Sequence, residues 1–219
     1  MPTETEFDQA GYWIKRHEDL ADDPRSVGNL AATRDQNQAG ELALIDTVGA
    51  FARQVGPEVR SVLDLGCGYG RVTGAFLGAG IAYTGRDISA EALTRARRDW
   101  PAAEFIETNL LHWTPGQTYD LVCVLYVLVH FVDDADWARF FAAAADSVAE
   151  GGLLLIADVF PDVRGGAAHY VARPFADYAP LAERAGLNHE PAVTDTLFRE
   201  RADDPNRAHF RVFRKRRTR

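Results

Sequence analysis

The period of apolar and polar positions changes repeatedly along the chain, and each change predicts an element. Between residues 7 and 20, Phe7, Tyr12, Trp13, Ile14 and Leu20 stand among charges, which predicts a helix with one aromatic face. The loop 21–29, with Asp22-Asp23-Pro24 and Gly28, interrupts it. A second helix is predicted from near Asp35 to Val55, carrying Leu42, Leu44, Ile45, Val48 and Phe51 and stopping at Gly56-Pro57. Short apolar runs then alternate with helical stretches. Strands are predicted at 62–65, 81–87, from 103 into a loop near 113, 119–125 and 153–160. Helices are predicted at 72–77, from Ser89 onward, and from Asp133-Asp134 to Gly151-Gly152. A helix near 175–185 and strands near 192–199 and 208–214 complete the pattern. The run Tyr119 to Leu125 is apolar behind one acid, as a parallel strand covered on both faces requires. Strands alternating with helices predict an α/β domain with a mostly parallel sheet. We divide it into a helical cap over 1–56 and a core over 57–219.

One junction carries chemistry. The run ending at Leu65 meets glycines at 66, 68 and 70 before the next helical pattern, a strand, tight turn and helix. Glycine serves where a turn needs positive φ or a backbone must approach a ligand closely. A dinucleotide-binding turn, G-x-G-x-x-G, would need its third glycine at position 71, which is Arg71. The spacing is instead D-x-G-x-G-x-G, beginning at Asp64. Asp87, about 20 residues on at the end of the second strand, stands where a carboxylate can grip a ribose diol. Ser89 serves as the cap of the following helix.

The stretch Val62-Leu-Asp-Leu-Gly-Cys-Gly-Tyr-Gly70 resembles the first motif of the class I S-adenosylmethionine-dependent methyltransferases. The resemblance spans roughly residues 45 to 215, with the first two motifs its specific part. It implies a Rossmann-like three-layer sandwich with seven strands and S-adenosylmethionine as cofactor, S-adenosylhomocysteine being the product. It also implies roles. Asp64 would approach the methionine amino group, with the backbone of Gly66, Cys67, Gly68 and Gly70 along the methionine portion. Ile88 would pack on the adenosine after Asp87 grips the ribose. Asn109 stands where the family usually has an aspartate near the adenine amino group; an amide can both accept and donate there. Leu110 and Leu125 would add apolar contacts, and Arg16 a contact from the cap. The strand exit Tyr126-Val-Leu-Val-His-Phe lacks the Asn/Asp-Pro-Pro-Tyr/Phe motif of enzymes that methylate nucleobase amines or protein glutamine, and resembles small-molecule methyltransferases.

Composition narrows the reading. The net charge of −8 argues against a general affinity for phosphate backbones. The stretch 211–219 holds six basic residues, read as a solvated end. No run approaches the ~20 apolar residues of a membrane helix, and the start has neither a basic leader nor an apolar signal segment. Cys67 and Cys123 are the only cysteines, which fits a reducing cytoplasm. The six histidines are scattered without metal-ligand spacing, so no metal is expected. The acceptor side is expected from Tyr12, Trp13 and His17 of the cap, from Tyr126 and Phe160 at strand ends, and from Tyr170 beyond Gly165-Gly166. A hydroxyl or ammonium acceptor would need a base, for which His130 and His169 are the candidates; a carboxylate acceptor would need none. A small-molecule methyltransferase, monomer or homodimer, is the expectation. The alternatives are a macromolecule methyltransferase using the basic tail and a binder of the cofactor without turnover.

Overall fold

A computed structural model describes residues 7–20 and 23–217. Residues 21 and 22 of the predicted loop, and the last two of the basic tail, lie outside the described residues. The sheet runs β3-β2-β1-β4-β5-β9-β8, with β1 Ser61–Leu65, β2 Ala82–Asp87, β3 Glu104–Glu107, β4 Tyr119–Leu125, β5 Val148–Ala157, β8 Leu187–His189 and β9 Phe210–Lys215. The first five strands are parallel, while β9 is antiparallel to both β5 and β8. This is the expected Rossmann-like plan. The strand order reverses between β1 and β4, so the crevice beyond their carboxyl ends is where a ligand collects.

Alternate residues of each strand face opposite layers. Val62, Leu121, Cys123 and Leu155 pack with α2 (Arg34–Val55), α3 (Thr73–Gly78), α4 (Ala90–Asp99) and α7 (Pro191–Leu197). Leu63, Leu65, Val122 and Ile156 pack with α5 (Asp134–Asp146) and α6 (Ala179–Arg184). Fully burying one such aliphatic side chain contributes about 1.5–3 kcal/mol, so these two layers fix the sheet that carries the crevice. The cap is α1 (Gln9–Asp19), the 3-10 turn Pro24–Ser26, and α2, whose start is held by a capping box between Thr33 and Gln36.

Three expectations need correction. The stretch 192–199 is largely helix, not strand: Pro191 cannot donate to a ladder but suits the first turn of α7, and Leu187–His189 takes the edge position beside β9. Gly151-Gly152 does not precede β5 but lies inside it, where the register with β4 shifts between Tyr119 and Leu121. Residues 211–215 of the basic tail are strand rather than solvated end, while Arg216 and Arg217 beyond them are exposed. Arg214 and Lys215 approach Glu58 and Asp146 at 3.9 and 3.6 Å, and Arg211 lies over the Phe160 and Phe175 rings. The segment 161–172 folds as a hairpin of β6 (Gly165–Ala167) and β7 (Tyr170–Ala172). Among the described residues, no helix is long and apolar enough to cross a membrane.

Candidate active site

The glycine turn leaves β1 with Gly66, Gly68 and Gly70 at φ of 80, 55 and 77°, a region that a side chain disfavours. Gly66 and Cys67 donate their N–H groups to the Arg86 carbonyl, which ties the turn to the end of β2. Gly68 N–H donates to Asp87 Oδ2 at 2.8 Å and Ser89 N–H to Asp87 Oδ1 at 2.9 Å. The carboxylate is thereby fixed between the turn and α4. A Cβ at Gly66 would stand 2.4 Å from Val127 Cγ2, and one at Gly68 would stand 3.1 Å from Val27 Cγ1 with His17 Cε1 next. The turn is a bare-backbone cradle roofed by the cap.

Beyond it opens a cavity with about 760 Å³ of empty space, part of it solvent. Its walls bring together most of the predicted residues. Gly66, Cys67, Gly68 and Asp87 line it together with Ile88, Asn109 and Leu110, and with Leu125 and Tyr126 from the exit of β4. Trp13, His17 and His130 close it from the cap and from the exit of β4. Asn109 Oδ1 accepts from Leu111 N–H, which holds that loop in a turn and leaves the amide nitrogen as a donor.

Other predicted residues stand outside this wall. Asp64 is buried behind the turn, where it accepts from the Tyr83 hydroxyl at 2.6 Å; burial pushes its carboxyl up to about 6. Gly70 backs onto Thr73 and Trp100. Arg16 turns away to the Arg25 and Gly28 carbonyls and lies 4.9 Å over the Trp13 ring, so it holds the cap together. Phe160 packs on Phe175 and Tyr178. Tyr12, His169 and Tyr170 form a second layer above the roof. Tyr12 stacks on His169 at 5.6 Å, and His169 meets Tyr170 edge-on.

His130 joins the two layers. Its Nδ1 pairs with the His169 carbonyl at 3.2 Å, and its ring meets Trp13 edge-on at 4.6 Å. Burial lowers its pKa to about 4, so near neutral pH it carries no charge, and His17 is lowered for the same reason.

Sequence reasoning missed Arg71, and it missed Asn206, His209 and Thr47, which hold the predicted Tyr126. Arg71 lines the cavity although it sits directly beside the motif. Tyr126, at φ 59°, is the one non-glycine residue with positive φ among those described. Its hydroxyl lies 3.1 Å from Asn206 Oδ1 and 2.9 Å from His209 Nδ1, and Asn206 Nδ2 donates to Thr47 of α2. Such strain persists only where surroundings over-determine it. Asn206 and His209 lie some 80 positions downstream of Tyr126 and Thr47 far upstream, so no local pattern could reveal them. Among the described residues, no three His, Cys, Asp or Glu side chains gather as a metal-holding group.

A family model described as a methyltransferase domain matches residues 62–152. The chain is 33% identical over 150 residues to trans-aconitate 2-methyltransferase of Afipia carboxidovorans, covering 64% of this chain and 57% of that protein. The enzyme of the same name from Paracidovorax citrulli is 36% identical over 133 residues, covering 57% and 48%. The chain thus matches about half the length of these relatives. Among solved structures, magnesium protoporphyrin IX methyltransferase from Synechocystis PCC 6803 with bound S-adenosylmethionine superposes with a TM-score of 0.69. It is 18% identical, and the match covers 97% of this chain and 100% of that one. A complex of DhpI with S-adenosylhomocysteine has a TM-score of 0.65 at 21% identity, covering 96% of each chain. At those identities the likeness is one of fold.

Proposed function

The chain belongs to the class I S-adenosylmethionine-dependent methyltransferases, and from that premise we propose that it methylates a carboxylate oxygen of a small polycarboxylic acid, with trans-aconitate the first candidate. When bound, S-adenosylmethionine supplies a methyl group on a positively charged sulfur. The chain's residues fit such a ligand at several points. The bare backbone of Gly66 and Gly68 lets a ligand lie against the turn where a Cβ would intrude. Asp87, already oriented by two N–H groups, retains acceptor capacity for ribose hydroxyls. Ile88 and Leu110 offer apolar surface to a flat base, with the Asn109 amide nitrogen as donor beside them.

The acceptor reading rests on one observation, the weakness of the base beside the cavity. His130 is neutral near pH 7, yet an imidazole lowered to about 4 provides little drive to strip an alcohol or an ammonium of its proton. A carboxylate is ionised already. It asks only to be positioned and shielded from water, which the Trp13 and His130 roof can do. The likeness to trans-aconitate methyltransferases supports the same choice. Cys67 and Cys123, both buried free thiols, fit a reducing compartment such as the cytoplasm.

Incubation with S-adenosylmethionine and trans-aconitate, followed by mass spectrometry, tests this directly. We expect a monomethyl ester that alkali hydrolyses, with kcat/KM nearly flat from about pH 6 to 8 because no group that must lose a proton titrates there. Turnover of amines or alcohols with none of acids would overturn the acceptor class.

A further inference from the structure

We propose that Arg71 is the carboxylate-binding residue of this cavity, an inference that rests on the methyltransferase reading above. Arg71 follows the last glycine of the turn and stands half-buried in the cavity wall. Arginines elsewhere around the site are committed to protein acceptors. Arg16 donates to backbone carbonyls, Arg86 to Thr108, Arg97 to the Phe105 carbonyl, and Arg173 to Asp134. Arg71 has no hydrogen bond or ion pair with any described residue. A guanidinium carries five N–H donors in a planar fork and no acceptor. Drawn partly out of water without a partner, it loses solvation that only an acceptor from a ligand would restore.

The charges around it favour an anion. The titratable side chains of the wall, besides Arg71, are His17, Cys67, Asp87, Tyr126 and His130. Burial holds both imidazoles toward the neutral form and pushes the Cys67 thiol and Tyr126 phenol up, toward theirs. Asp87 is engaged by the Gly68 and Ser89 N–H groups. Asp64 feels the field of Arg71, yet its carboxyl faces Tyr83 behind the turn and forms no ion pair with it. Among the described residues, Arg71 is therefore the permanent cation of the wall, and its fork matches the two oxygens of a carboxylate. It directly follows the glycine turn and shares the cavity wall with Tyr126 at the exit of β4. Both the amino-acid end of the cofactor and an acid acceptor can present a carboxylate to Arg71.

Calorimetry on wild type, R71Q and R71K separates these sources. The first arm compares S-adenosylhomocysteine with 5′-methylthioadenosine, which keeps the adenosyl thioether but lacks the amino acid. The second titrates trans-aconitate into protein saturated with S-adenosylhomocysteine. If the cofactor's carboxylate is the partner, R71Q weakens S-adenosylhomocysteine by about tenfold or more and leaves methylthioadenosine unchanged. If the acceptor's is, R71Q leaves S-adenosylhomocysteine unchanged and weakens trans-aconitate by a similar factor. In either case R71K recovers part of the loss, and unchanged melting curves show that the fold is intact. Equal binding by wild type and R71Q in both arms overturns the role of Arg71, as does equal weakening of S-adenosylhomocysteine and methylthioadenosine. Failure of wild type itself to take up S-adenosylhomocysteine overturns the cofactor reading and the carboxylate site with it.

Discussion

Whether a side chain can exist at one position decides more of this site than which side chain does. Gly66 combines φ of 80° with a Cβ direction that ends inside Val127, so Gly66→Ala meets both penalties at once. The left-handed conformation alone costs about 1 kcal/mol for a non-glycine residue, and the clash must be relieved by moving Val127 or the turn. We expect G66A to lower the melting temperature modestly and to remove measurable S-adenosylhomocysteine uptake in calorimetry. Uptake at wild-type affinity would show that the turn is not the cradle. The same scale shows what a sequence discloses. Asp87 was legible because its spacing from the glycines is local geometry, one strand and one helix long. Asp64 was less so: whether a carboxylate at a strand end faces a cavity or a buried tyrosine depends on Tyr83, across the sheet on β2.

At the scale of elements, α2 buries a continuous apolar face in the core, whereas α1 is joined to it mainly by ring contacts. Trp13 on α1 meets His130, Tyr12 meets His169, and Arg16 binds the loop beneath. An element with so few buried contacts can open locally without global unfolding. Trp13→Ala should therefore leave the melting temperature nearly unchanged while the amides of α1 exchange faster. It should also raise the acceptor KM by about an order of magnitude, since positioning is what the roof contributes. A large drop in stability with an unaltered KM would instead make Trp13 a core residue. The helices of the cap were readable from their aromatic and aliphatic spacing. The stretch after residue 190 was not, because Ala192-Val-Thr-Asp-Thr-Leu has strand-forming composition, and only the competition for the sheet edge, won by Leu187–His189, turns it into helix.

For the whole molecule, acids buried at the strand ends tie stability to pH. Burial pushes Asp158, which follows β5, up to about 7, against an ordinary value near 4, and Asp64 up to about 6. Between the unfolded and folded values the native protein holds protons that the unfolded chain has released, so these groups make stability fall as pH rises through that window. His130 acts oppositely. Lowered to about 4, it binds fewer protons folded than unfolded, and its contribution grows as pH rises from about 4 to 6.5. The opposing slopes partly cancel up to about pH 6.5, leaving Asp158 as the main one of the three still changing above it. Asp158→Asn keeps an oxygen for the Val159 N–H that Asp158 Oδ1 accepts, and removes the ionisation. We expect urea midpoints of the wild type to decline from about pH 6.5 to 8 and those of D158N to stay nearly level, so that the two curves diverge by roughly 1 kcal/mol over that range. Parallel curves would mean that Asp158 titrates near its ordinary value, with water reaching the end of β5 beside the cavity.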